Sequence, residues 1–141
     1  MKKFLVIAVL LSITLPVAAD TDLAPLLGTW VNSEYNPTRK GPKAVFLADG
    51  TGESYATTYA EVPSRVWTYN VEEGWQDAEG AYWYKIVAVK IQTLEDRFWY
   101  LLVRISPDGT TYEEDYIRVN HREFATELKP NSYFYKIWNR E

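Results

Sequence analysis

Phe98-Trp99-Tyr100-Leu101-Leu102-Val103-Arg104-Ile105-Ser106-Pro107-Asp108-Gly109-Thr110-Thr111-Tyr112 is the stretch that decides the fold. An aromatic and aliphatic run meets Pro-Asp-Gly, and a second strand-like run continues to Val119. Proline presets one backbone angle and glycine accepts the positive φ of a tight turn, so the two runs are predicted to fold back as a hairpin. Asp49-Gly50 repeats the device between Phe46-Leu47 and the segment holding Tyr55. Working outward, the pattern predicts strands over 28–35, 43–49, 51–59, 64–71, 81–91, 97–106, 110–119 and 132–140, with an extra one over 123–128. Glu95-Asp96 and Lys129-Pro130-Asn131 are further turn signals. Residues 72–80, with Gly74, Trp75, Asp77 and Gly80, read as a longer loop. A second loop covers 36–42, where two prolines forbid a ladder strand. Hairpin after hairpin leaves no room for crossover helices, so the connectivity is antiparallel. The expected fold is all-β: an antiparallel up-and-down barrel of about eight strands, because closure removes exposed edges. A two-sheet β-sandwich is the alternative.

The N-terminus carries a different signal. Lys2-Lys3 precede an apolar run from Phe4 to Thr14, then Leu15-Pro16-Val17-Ala18-Ala19 and an abrupt change at Asp20. A basic start, a short apolar stretch and small residues before a polar junction read as a cleaved export signal over 1–19. The remaining 122 residues, 20–141, form one domain by length. Removing Lys2 and Lys3 leaves 13 basic against 19 acidic side chains, a net charge of −6. No basic run interleaves with aromatics, so nucleic acid is not an expected partner, and no membrane anchor is expected after cleavage. The expected location is periplasmic or secreted.

The chain has no cysteine, which excludes disulfides, thiol nucleophiles, zinc knuckles and iron–sulfur clusters. It also has no cysteine to acylate after the apolar run. Trp, Tyr and Phe make up 16% of the residues. That richness serves either a dense core or an aromatic-lined cavity.

The domain opens with Leu26-Leu27-Gly28-Thr29-Trp30, followed by Phe46-Leu47-Ala48-Asp49-Gly50-Thr51-Gly52. This resembles the lipocalin superfamily, and more closely the small bacterial lipocalin-like proteins of the cell envelope. Gly28-x-Trp30 matches the first-strand motif of that family. The resemblance implies that Trp30 closes the barrel base under a late basic residue, for which Arg140 is the candidate and Lys136 the second choice. The C-terminal helix and disulfide of the longer vertebrate-type members have no counterpart here, so their ligand positions do not transfer.

Candidate chemistry is sparse. His121 is the only histidine, in a turn-like Asn-His-Arg, and supports neither a multi-histidine metal site nor a heme ligand. Glu113-Glu114-Asp115 would alternate across a strand and cannot converge; all three are expected to be solvated. Phosphate loops, nucleophile elbows and helix-borne histidine pairs are missing, so no catalytic residue, metal or cofactor is assigned and no enzymatic activity is expected. The strand faces instead suggest a pocket. Trp67, Tyr69, Tyr84, Tyr100 and Tyr116 are the candidate aromatic walls, and Arg104 and Arg118 candidate partners for an anionic group. The expected function is an exported, non-enzymatic binding protein for a small apolar or amphipathic ligand. The alternative is a protein-binding module, such as an exported inhibitor of a secreted enzyme, acting through an N-terminal arm at 20–25 or through an aromatic patch around Trp75.

Overall fold

The computed structural model describes residues 21–32, 42–90 and 96–141. The expected export signal over 1–19, Asp20, residues 36–41 of the expected loop and the turn residue Glu95 lie outside the described residues. Eight strands follow in chain order: β1 (Gly28–Asn32), β2 (Lys43–Phe46), β3 (Thr51–Tyr55), β4 (Arg65–Gln76), β5 (Tyr82–Lys90), β6 (Arg97–Ile105), β7 (Thr111–Asp115) and β8 (Lys136–Arg140). Each pairs antiparallel with the next. The pairing of β1 with β8, through Trp30↔Arg140 and Asn32↔Trp138, closes the sheet. The fold is therefore an all-β, antiparallel, up-and-down barrel of eight strands, and the sandwich alternative is excluded.

The two ends of the barrel are built differently. At one end the hairpins are tight and share one chemistry. Asp49 Oδ1 accepts from Thr51 N and Oγ1, Asp77 Oδ1 from Glu79 N and Ala81 N, and Asp108 Oδ1 from Thr110 N and Oγ1. An aspartate that bonds the backbone two residues on stands in for a turn of main chain. The glycine completing each turn has φ between 75° and 91°, a region closed to most side chains. At Asp108 the Ser106 and Thr110 hydroxyls hold the carboxyl at about 2. At the other end, the strands are joined through longer connections.

The N-terminal arm closes the tight-turn end. Leu26 N donates to Leu23 O, forming a single turn that drops Leu26 into the core, where it is fully buried. Trp30 Nε1 donates to Leu26 O at 2.9 Å. The Arg140 guanidinium lies 4.0 Å from the centre of the Trp30 ring. It donates to the carbonyls of Leu27, Pro25 (2.6 Å) and Gly109 (3.2 Å), which ties the arm to the last hairpin. Gly28 is required beneath it, because its φ is 112° and a Cβ would sit 2.8 Å from the guanidinium.

Two elements differ from the sequence reading. Residues 72–76 continue β4 rather than opening a loop, and only the Asp77–Gly80 turn separates β4 from β5. A bulge between Val71 and Glu73 reverses the alternation there. Gly74 then faces inward, where a Cβ would meet Thr21 Cγ2 at 2.5 Å, and Trp75 faces out. The period-2 signal breaks at the bulge, so the sequence looks like a loop. Residues 123–128 form no strand. They belong to the long connection from 116 to 135, and the last strand is only Lys136–Arg140. That connection is pinned by Asp115, which is 2% exposed. Its carboxylate accepts from Tyr116 N, Lys129 N and Ser132 Oγ at 2.9–3.1 Å, ending β7 and folding the chain back over it.

Candidate functional site: a cavity open at one end of the barrel

Strand alternation sorts the barrel into an inner and an outer set. Towards the tight-turn end the inward side chains are large and fill the interior. Trp30 packs on Tyr112 with centroids 5.4 Å apart, Phe46 meets Tyr69 edge-on at 5.2 Å, and Tyr112 meets Trp138 edge-on at 6.4 Å. Towards the other end the inward positions shrink to Ala44, Ser54 and Ala88. Three small residues on three strands cannot fill the section of an eight-stranded barrel, and a cavity of about 780 Å³ remains, open at that end. Its floor is Trp30, Phe46 and Tyr112, and its walls include Trp67, Trp99, Leu101, Tyr116 and Trp138.

The walls are fixed rather than loose. Trp67 donates from Nε1 to Ser54 Oγ at 2.9 Å and stands edge-on to Phe46 at 5.1 Å. Gly52 lies against the face of the same indole, so closely that no Cβ would fit. Tyr116 stacks on Phe134 at 4.5 Å, anchoring the cavity wall to the long connection.

One acid stands among these rings. Glu114 faces inward between Tyr112 and Tyr116, surrounded by protein yet reachable from the cavity. Burial pushes its carboxyl above the ordinary 4.5, while Lys136, Trp138 and Tyr112 act in the opposite direction. The Trp138 indole N–H lies in the electrostatic surroundings of that carboxyl but reaches hydrogen-bond geometry with no acceptor, and it is buried. An unpaired buried donor is costly, which makes this wall a place where a ligand acceptor or an ordered water would be stabilised. Tyr112, fully enclosed, has its phenol pushed well above its ordinary range by burial and by Glu114. The expectation of three solvated acids is corrected here. Glu113 and Asp115 lie on the outer face, but Asp115 is buried under the 116–135 connection, and Glu113 pairs with Arg104 at 3.2 Å and accepts from Tyr135 Oη at 2.5 Å.

The sequence-selected residues are distributed over three environments. Trp67 and Tyr116 line the cavity. Tyr69 lies in the packed core, with its hydroxyl on Leu47 O at 2.7 Å. Tyr84 is also in the core, at the closed end, donating to Asp22 O at 2.6 Å; burial raises its phenol strongly. Tyr100 is on the outer face, 4.9 Å from Phe124, and Arg104 is further along that face, paired with Glu113 and Glu79. Arg118 is exposed beyond the end of β7. Gly28, Trp30 and Arg140 meet at the closed end. His121 lies on the 116–135 connection, 3.6 Å from Glu123 and away from the cavity.

The phase of β6 explains the division. The face Phe98, Tyr100, Leu102 and Arg104 is the outer one, and Trp99, Leu101, Val103 and Ile105 face in. From Phe98 to Ile105 the inner phase is the one without a charge, a signal present in the sequence. Trp99, Trp138, Glu114, Arg65 and Lys90 were not selected from sequence, and Lys136 was read only as the second choice to cover Trp30; the short β7 and β8 hide the phase of Glu114, Lys136 and Trp138, whereas that of Trp99 was legible in β6. Among the described residues no group of three His, Cys, Asp or Glu side chains is placed to hold a metal ion. No protein-family model, no curated protein and no solved structure matches the chain.

Proposed function

We propose that this is an exported, lipocalin-like binding protein that holds a small apolar or amphipathic molecule in the open half of its barrel without transforming it. The observation that carries the reading is the cavity of about 780 Å³, framed by aromatic side chains above a close-packed floor. Sites for small molecules commonly enclose about 300–1,000 Å³ and combine apolar walls with a few polar groups. The hydrogen bond of Trp67 and the tight seat of its ring on Gly52 support a preformed wall, which lowers the ordering cost of binding. Export rests on the N-terminal segment of the sequence.

The test is a titration of the mature protein with N-phenylnaphthylamine, a neutral dye that fluoresces in apolar surroundings. One equivalent should bind with a blue shift, and Ala88→Trp, which places an indole in the opening, should abolish the signal. Dye binding that survives this substitution in a folded variant would refute the reading.

A second reading, a protein-binding module, draws on the outer face. There Trp75 remains 39% exposed and stacks on Trp83, with centroids 5.9 Å apart and planes 5° from parallel. Loss of a partner on Trp75→Ser, with dye binding intact, would favour this second reading.

A further inference from the structure

The charges at the mouth specify the ligand more narrowly than its aromatic walls do. Inward alternation continues past the apolar positions to the strand ends. Arg65 precedes Trp67 on β4, Lys90 follows Ala88 on β5, and Lys136 precedes Trp138 on β8. Arg97, the cross-strand partner of Lys90, occupies the corresponding position before Trp99. Among the described residues that line the cavity, the charged ones are Arg65, Lys90, Lys136 and Glu114. Three cations and one acid surround this opening in a chain whose net charge is −4.

Many basic side chains elsewhere are occupied. Lys85 pairs with Glu73, Arg104 with Glu113, Lys43 covers the Tyr55 ring, Arg122 covers Phe98 and Arg140 covers Trp30. Arg65 and Lys90 have no such partner among the described residues, and Lys136 has only the neighbouring field of Glu114. The acid stands directly across the ladder from Lys136 and is one charge against three, so the rim keeps an excess of positive charge. An excess of cations above an apolar chamber creates a local positive potential where a ligand would enter.

We infer that the ligand is a single-chain amphiphile with one anionic head group, its apolar body against Trp67, Trp99 and Trp138 and its head group held among Arg65, Lys90 and Lys136. The inference rests on the binding-protein reading and adds the ligand's charge and orientation. A guanidinium and two ammonium groups suit a carboxylate, sulfate or phosphate equally in charge, and only Arg65 can offer a paired donor fork. An apolar body is required as well, because a free anion would leave the aromatic chamber unfilled.

Displacement of bound N-phenylnaphthylamine at fixed ionic strength tests the assignment, using decanoate, decanol and decyltrimethylammonium, with inorganic phosphate as the head group alone. Decanoate should displace the dye at a concentration about tenfold or more below the other two chains, as charged hydrogen bonds imply. Phosphate should displace none. The triple variant Arg65→Gln, Lys90→Gln, Lys136→Gln should bring the decanoate-to-decanol ratio close to one. Equal displacement by all three chains, or an unchanged ratio in the variant, would overturn the head-group assignment and leave the cavity reading standing. Failure of the dye itself to bind would overturn both.

Discussion

Ala88→Leu separates a hollow barrel from a filled one by the sign of its effect on stability. Ala88 faces inward on β5 between Ile86 and Lys90 and lies on the cavity wall, 6% exposed. Leucine adds three carbons, and burying each is worth about 0.8 kcal/mol, or about 2.4 kcal/mol together. Fixing the longer side chain costs about 0.5–1 kcal/mol in rotamer entropy. If the carbons enter empty space beside Trp99 and Leu101, the variant gains about 1–2 kcal/mol. In a core already filled to native density, the same carbons would cost about 1–3 kcal/mol through displaced neighbours. The assay is urea unfolding followed by tryptophan fluorescence. With a slope of about 2 kcal/mol per molar urea, the hollow barrel predicts a midpoint raised by about 0.5–1 M. A midpoint lowered by a similar amount at unchanged slope would refute the reasoning.

Other consequences follow from the two ends of the barrel. Arg140→Ala should cost about 2–3 kcal/mol, since it removes the cover of Trp30 and three charged donations; Arg140→Lys should recover only part, and thermal denaturation reads both. Asp115→Ala should cost about 2–4 kcal/mol by leaving three donors unpaired, with faster hydrogen exchange at Tyr116 and Lys129 as its local signature. Glu114→Gln tests the sign of a raised carboxyl. The folded protein holds that proton more tightly than the unfolded chain, so wild-type stability falls as pH rises from 4.5 through the raised folded value. The gain in stability of the variant over wild type should therefore grow across that window, and a gain independent of pH would contradict the assignment.

How much of this was legible in the sequence depended on local chemistry. The Asp-Gly and Pro-Asp-Gly turns act within four residues, so the hairpins and the eight-strand count could be read directly, and closure followed from the cost of free edges. The continuation of β4 through Trp75 could not be read, because a single bulge reverses its alternation and Gly74 carries no side chain to mark the face. The long 116–135 connection was equally hidden. It is held by the buried carboxylate of Asp115, whose partners lie up to 17 residues away in sequence. Part of the cavity wall was visible as Trp67 and Tyr116. The empty space itself depends on Ala44, Ser54 and Ala88 lining the same cavity. That coincidence is set by the register of β2, β3 and β5, and no one of the three is conspicuous in its own strand.

Native mass spectrometry of the protein, isolated gently from its own host and compared with the same sample under denaturing conditions, tests the central claim most directly. The account predicts one non-covalent small molecule per chain, retained in the native spectrum, lost on denaturation, and identifiable in the extract as an anionic single-chain amphiphile. A native mass equal to that of the polypeptide alone, with an extract free of any stoichiometric small molecule, would contradict it.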